Sequence, residues 1–429
     1  MKVLIISNTP WRMDTGFGNS FSNIFDDIKE VEIANIYCSS GKPDNRNIKN
    51  YFQTTEKLQL KHLFNKNKPS GKRILTLDVT NEDNEELRKF DIYRRFRLYS
   101  VFFAREMFWK LGLWKSNELF SFVEEFQPNL IFVNVYNKRY IANMNLYLSK
   151  KFNLPMVSYI SDPNYSLRRL EFHPLFWIDR LLLRRKLKKV FLKSKKIYTI
   201  SDIQLNEMKK SFPDKEIKIL TKVEDFDNNN LVKYDINNPI KLLYAGNIDK
   251  GRFKSLSLIA KAVGELIFEN KIQLDIYSAT TLTKKQLKKF DYKNVFFHGK
   301  IPYQELIKKN KEADLPIHVE GLSYKERCKV YQSFSTKIVD YLFLSKPIFS
   351  VGKTDCASIK FIKDNKCGFV SQNYNEILCN MKKILENPKI IKEYGENSWD
   401  TGKKYCNKTT KLNELLNDLK SIVEEDGSK

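Results

Sequence analysis

Ser335, Thr336 and Lys337 put two hydroxyls and a cation at the head of an apolar-periodic segment, in the stretch SFSTKIVDYLFLSKPI from Ser333 to Ile348. Phe334, Ile338 and Leu342 repeat at helical spacing, and Pro347 stops the helix before a short buried strand. A hydroxyl of Ser333 or Ser335 can cap such a helix. Its free amides and the positive end of its dipole then point outward beside Lys337, which is chemistry suited to a phosphate. Taken alone, the same residues read first as a capped helix with an exposed lysine. Other strand–helix junctions decide the matter. After KLLYA come Gly246, Asn247, Lys250 and Arg252, a glycine and two cations fit to neutralise a diphosphate. After NVFF come His298, Gly299 and Ile301 to Tyr303, which could wall a base. Glu320 stands at the end of LPIHV. Each junction alone reads as a solvated loop; together they suit one nucleotide diphosphate.

The first half offers less. Gly16, Phe17 and Gly18 precede a helix expected to open near Asn19, where two glycines would let backbone amides approach a ligand. The G-x-G-x-x-G spacing is missing, so a nicotinamide fingerprint is not supported, and a simple turn explains the pair as well. Asp162, in YISDPN at a strand end, could orient a substrate or form an Asp-Pro turn. Asp225 and Asp227 have the spacing of a metal-binding pair but lie in a polar segment away from any strand end, so no metal site is expected.

These residues need a scaffold of strands to hold them. Short apolar runs at 2–7, 31–37, 129–134, 155–160 and 196–201, then at 241–246, 273–278, 294–299, 315–320, 347–351 and 368–370, alternate with helical patterns. Such alternation means parallel sheets covered on both faces, an α/β fold. The polar stretch Lys222 to Pro239 reads as a linker. The reading is two Rossmann-like, doubly wound domains facing across a cleft, divided as 1–222 and 223–398, with ligands at the carboxyl ends of their strands.

Composition narrows the class. The 429 residues suit two domains of ordinary size, and 42% hydrophobic content without repeats is globular. No run reaches the roughly 18 apolar residues of a membrane span. The N-terminal MKVLIISNTP reads as a strand and not a signal peptide. Six cysteines without paired spacing fit a reducing cytoplasm, and four scattered histidines form no metal-ligand pattern. The net charge of +24 calls for an anionic partner: nucleic acid, a membrane surface or a phosphorylated substrate.

YAGNIDKGR, FHGKIPYQELIKKNKEADLPIHVE and SFSTKIVDYLFLSKPI resemble the C-terminal donor-binding domain of GT-B-fold glycosyltransferases, with family 4-like enzymes of bacterial capsular and exopolysaccharide synthesis most similar. ISNTPW…GFGNSFSNIF and YTISD resemble their acceptor domain. The resemblance implies a retaining, metal-independent transfer from a nucleotide-diphosphate sugar, a UDP-sugar favoured, with no other cofactor. The acceptor it implies is a glycan or a polyprenyl-linked sugar. It also implies that Ser335, Thr336, Lys337, Lys250 and Arg252 hold the diphosphate and that Asp340 grips the ribose. A tail from about Trp399 (399–429) would pack back on the first domain. Gln332 stands where the family's first glutamate falls, Glu320 is its expected substitute, and Ser345 replaces a helix-capping glycine.

Two stretches remain. Arg88 to Lys115 has eight Lys/Arg, two acids and nine aromatics; Leu167 to Lys196 has eleven Lys/Arg against two acids. Both read as basic amphipathic helices, suited to an anionic membrane surface from the cytoplasmic side. A solvated basic face explains them too. Nucleic-acid binding competes, but no recognised module is visible and none is expected. A sugar-nucleotide epimerase on the same fold is a third reading, weakened by the scarcity of histidines.

Overall fold

The computed structural model describes residues 1–74, 99–227, 235–249, 251–266 and 271–427, with Tyr303 described by its backbone only. The chain divides into two compact units. The first comprises Met1–Leu167, Glu171–Leu220 and Leu412–Lys429; the second comprises Arg168–Leu170 and Thr221–Lys411.

The first unit is built on β1 (Lys2–Ser7), β2 (Glu32–Tyr37), β3 (Asn50–Gln53), β4 (Lys72–Arg73), β5 (Leu130–Asn134), β6 (Met156–Ile160), β7 (Lys196–Thr199) and β8 (Glu216–Ile219). They line up as β4-β3-β2-β1-β5-β6-β7-β8, parallel throughout except for the β3–β4 pair. Val3 to Ile6 and Leu130 to Phe132 are fully buried, as continuous apolar strands with both faces covered must be. The chain runs outward from β1 to β3 and returns on the other side at β5, so the strand order reverses between β1 and β5. Loops leaving the carboxyl ends of those two strands diverge and leave a crevice for a ligand.

The helix after β1, Gly16–Phe25, opens three residues before Asn19, because the Thr15 hydroxyl accepts the Gly18 amide at 3.0 Å. A Cβ on Gly18 would stand 1.9 Å from the Arg12 carbonyl oxygen. Gly18 therefore serves the close approach of its own loop, and Gly16 has open space around it.

The second unit is built on β9 (Ile240–Ala245), β10 (Ile272–Tyr277), β11 (Val295–Gly299), β12 (Leu315–Val319), β13 (Ile348–Val351) and β14 (Gly368–Ser371). Their order is β11-β10-β9-β12-β13-β14, all parallel, with the reversal between β9 and β12. This is the strand order of dinucleotide-binding folds, third-second-first-fourth-fifth-sixth.

Two helices bear on the chemistry. Arg252–Glu265 follows β9. Thr336–Phe343 buries Ile338, Val339, Tyr341 and Leu342, and each such burial stabilises by about 1.5–3 kcal/mol. Ser335 occupies its N-cap without a capping hydroxyl bond, which corrects the expected role of that side chain. The helix ends through Ser345 at φ 53°, with the Lys346 amide bonded to the Tyr341 carbonyl at 3.0 Å. This left-handed position is the one a glycine suits best.

The polar stretch from Lys222 does not begin as a solvated linker. Val223 and Phe226 are buried, the latter against Phe343 and Trp399 at ring distances of 5.6 and 5.2 Å. Trp399 sits in the Lys389–Cys406 helix of the second unit, and the passage to the first unit falls between Lys411 and Leu412. There the Lys408–Gly427 helix presents Asp418, which accepts from Lys196 Nζ at 2.6 Å, the Tyr198 hydroxyl at 2.6 Å and Lys218 Nζ at 2.8 Å. No helix among the described residues is long and apolar enough to cross a membrane.

Candidate functional site

At the reversal point of the second sheet, three elements bring charged groups together. β9 ends at Ala245 and the chain turns through Gly246 at φ 153°. Lys337 comes from the first turn of the Thr336–Phe343 helix. The residue is exposed, yet its ammonium turns back to donate to the Ala245 carbonyl at 2.5 Å. A Cβ on Gly246 would lie 2.6 Å from Lys337 Nζ, so only glycine leaves that ammonium its place. Burial of the ammonium and the nearby Arg252 guanidinium hold the Lys337 pKa below the ordinary lysine value, with Asp340 acting the other way.

Arg252 opens the Arg252–Glu265 helix and reaches Glu320 Oε2 at 3.5 Å. Glu320 leaves the end of β12 and is 5% exposed, and His318, two residues earlier on the same strand face, lies 3.4 Å from its Oε1. Gly246, Arg252, Glu320 and Lys337 are therefore gathered where β9 and β12 diverge. Two cations, one buried carboxylate and a helix N-terminus make a site that can neutralise a diphosphate and orient the atoms attached to it.

The remaining positions divide. Asn247 contributes its carbonyl to the Tyr244 hydroxyl at 2.6 Å. The Ser335 amide is bonded to the Ser358 hydroxyl at 3.1 Å, and Thr336 is the first helical residue. Asp340 is held by an ion pair to Lys222, which also reaches Glu224 at 3.0 Å. Its carboxylate is thus engaged by a residue 118 positions away. His298 lies on the sheet face, bonded to Asp275 at 2.6 Å and stacked on Tyr277 at 4.6 Å. Gly299 turns at φ 74° after β11. Ile301 packs with Leu243, Ala245, Tyr277, Ala313 and Leu306, an apolar wall beside the β9 end. Tyr277 joins this face to the Lys337 group, its carbonyl accepting the Gly246 amide at 3.0 Å. Lys250 lies outside the described residues.

In the first unit Phe17 packs against Tyr136, ring centres 6.3 Å apart, so the loops after β1 and β5 meet. Asn164 donates to the Val135 carbonyl at 3.0 Å, which draws the β6 exit to the same place. Asp162 sits on that exit, exposed, with its carbonyl accepting from Gln204 at 3.1 Å. Sequence reasoning missed His318 and Lys222. The alternation in IHVE places His318 beside Glu320, so that signal was present. Lys222 carried none, because its partners are far away in sequence.

No protein-family model matches the chain, and no curated protein matches it by sequence. Solved structures match by fold. HepE of Anabaena, solved in complex with UDP, is 11% identical with a TM-score of 0.62, over 98% of this chain and 100% of its own. Sucrose-phosphate synthase of Thermosynechococcus elongatus is 10% identical with a TM-score of 0.61, over 99% of each chain. A TarM variant of S. aureus, solved with Fondaparinux, alpha-GlcNAc-glycerol and UDP, is 14% identical with a TM-score of 0.51, over 69% of this chain and 57% of its own. Likeness at these identities establishes architecture, and the two parallel-sheet domains expected from the strand pattern are present: the chain has the GT-B fold.

Proposed function

We propose that this protein is a retaining glycosyltransferase that moves a sugar from a nucleotide-diphosphate sugar, a UDP-sugar in first place, to a glycan or polyprenyl-linked acceptor of a cell-surface polysaccharide. The observation that carries the reading is the gathering of Gly246, Arg252, Glu320 and Lys337 at the reversal point of the second sheet. In the transfer, the bond between the anomeric carbon and the diphosphate oxygen breaks and one from that carbon to an acceptor hydroxyl oxygen forms. The acceptor proton passes to the departing phosphate on the same face, which retains the anomeric configuration. Negative charge grows on the leaving diphosphate, and fixed cations aimed at it lower the barrier. Lys337 and Arg252 supply that charge, so the reaction runs without a metal or other cofactor. Glu320 holds Arg252 and would take a sugar hydroxyl. Domain roles follow: the second unit binds the donor and the first the acceptor, with Gly16, Phe17 and Asp162 on the acceptor side. The UDP complex of HepE supports the choice of base.

Work at the inner membrane face fits the Pro174–Lys193 helix, which exposes Ile178 and Leu181 beside a crowd of cations. Burial, then neighbouring Lys189, Arg139 and Lys110, push the Lys186 pKa down. Such like-charge crowding favours an anionic surface.

Incubation with UDP-, GDP- and ADP-sugars and a polyprenyl-phosphate-linked acceptor tests the reading. One donor should release its nucleoside diphosphate in an acceptor-dependent manner, indifferent to EDTA. Absence of turnover with every donor contradicts it. Sedimentation with phosphatidylglycerol vesicles at low salt tests the membrane part separately, and protein left in the supernatant rejects it.

A further inference from the structure

The reversal point of the first sheet holds a lysine that the donor chemistry does not use. The loop after β5 runs from Val135 to Lys138 and leads into the Arg139–Lys151 helix. This loop and the helix it enters meet the segment after β1 twice: Tyr136 packs on Phe17 of the Gly16–Phe25 helix, and the Tyr140 hydroxyl donates to Asn8 Oδ1 at 2.8 Å. Lys138 therefore stands where the carboxyl ends of β1 and β5 diverge, the place where a parallel sheet receives its ligand.

The charges around Lys138 are matched to one another and leave it out. Arg105 pairs with Glu56, which also accepts from the Trp109 indole. Arg139 pairs with Asp179 at 2.9 Å. Glu106 accepts the backbone amides of Arg139 and Tyr140 at 3.0 and 3.1 Å, so the helix end already has its anion. Among the described residues the Lys138 ammonium has no hydrogen bond or ion pair, only the Phe102 ring with its centre 5.3 Å away. Burial, then Arg105, bring its pKa down to about 8, against the pull of Glu106, Asp179 and Glu56. That is the state of an ammonium that has lost water without gaining an acceptor.

We propose that Lys138 binds an anionic oxygen of the acceptor, on a phosphate or a sugar carboxylate, at the reversal point of the first sheet. The word acceptor rests on the glycosyltransferase reading; the anion site does not. An anion there gives the Lys138 ammonium the hydrogen-bond acceptor it lacks among the described residues. It also fixes the acceptor by a group remote from the reacting hydroxyl. Affinity should fall as pH rises past about 8, because the lysine then loses its charge.

Amine acylation of the whole protein, read lysine by lysine by peptide mass spectrometry, tests this with glycerol phosphate, glucuronate and methyl glucoside at matched ionic strength. At pH 7.5 either anion at ten times its Kd should slow labelling of Lys138 about tenfold. Methyl glucoside should not, and the protection should fade at pH 9. Protection by glycerol phosphate alone assigns a phosphate, and by glucuronate alone a carboxylate. Labelling unchanged by both anions, or slowed equally at surface lysines, overturns the proposal. UDP titration of Lys138→Met, with undiminished binding expected, separates this outcome from failure of the donor site.

Discussion

The two sheets share a plan, a reversal of strand order with loops diverging from two carboxyl ends, but they dress that place differently. In the second unit the cations are tied to groups of the protein: Lys337 to the Ala245 carbonyl, Arg252 to Glu320, Lys222 to Asp340. These ties hold charge in a set geometry, which is what a leaving diphosphate requires, because preorganised charge does not reorganise during the reaction. In the first unit the pairing is nearly complete but stops short at Lys138. The contrast is between cations tied to the protein and, at Lys138, an ammonium without a hydrogen bond or ion pair among the described residues.

The sharpest way to break this contrast is at Gly246. Gly246→Ala adds a Cβ 2.6 Å from Lys337 Nζ at a φ of 153°, so the ammonium is displaced from its position at the Ala245 carbonyl and the backbone is strained. UDP affinity measured by calorimetry should fall by about 10- to 100-fold, the worth of a charged hydrogen bond or two. Unchanged affinity would show that the lysine need not be held.

Asp418 offers a smaller effect, structural and in the first unit. Its burial would raise its pKa, but hydrogen bonds from Lys196, Lys218 and Tyr198 outweigh that and hold it below the ordinary aspartate value. A carboxylate with a depressed folded pKa stabilises above its unfolded pKa of about 3.9, and the contribution is lost as pH falls through the folded value. Asp418→Asn should cost about 1–2 kcal/mol at pH 7, discounted for partial exposure, with the gap to the parent closing in acid. Denaturant melts at several pH values measure it, with UDP binding unaltered.

The smallest effect is at Ser345. Glycine tolerates φ 53° without the strain a side chain carries, so Ser345→Gly should stabilise by about 0.5 kcal/mol, read as a slight rise in Tm. A fall would mean that the serine side chain contributes more than the backbone strain removes.

The long, doubly buried strands were legible because a parallel sheet covered on both faces leaves continuous apolar runs. β3, β4 and β8 were not: NYFQ and EIKI are short and half polar, and β4 has only two residues. The gathering at the second reversal point was legible because Gly246 and Glu320 follow a strand directly and Arg252 opens the helix after β9. The ion pair of Asp340 with Lys222 was not, since it closes across more than a hundred residues and spacing carries no trace of it. Lys138 was hidden for a different reason. It lies between Asn137 and Arg139 in a lysine-rich chain, and only the pairing of its neighbours singles it out.

The measurement that bears most directly on the account is calorimetric titration of the protein and of Lys337→Ala with UDP, GDP, ADP and CDP, each with and without EDTA. Micromolar binding of one nucleotide is expected, UDP in first place, indifferent to EDTA and at least about tenfold weaker in the variant. Binding that is equal in both proteins, or that vanishes with EDTA, would contradict a diphosphate held by Lys337 at the reversal point of the second sheet.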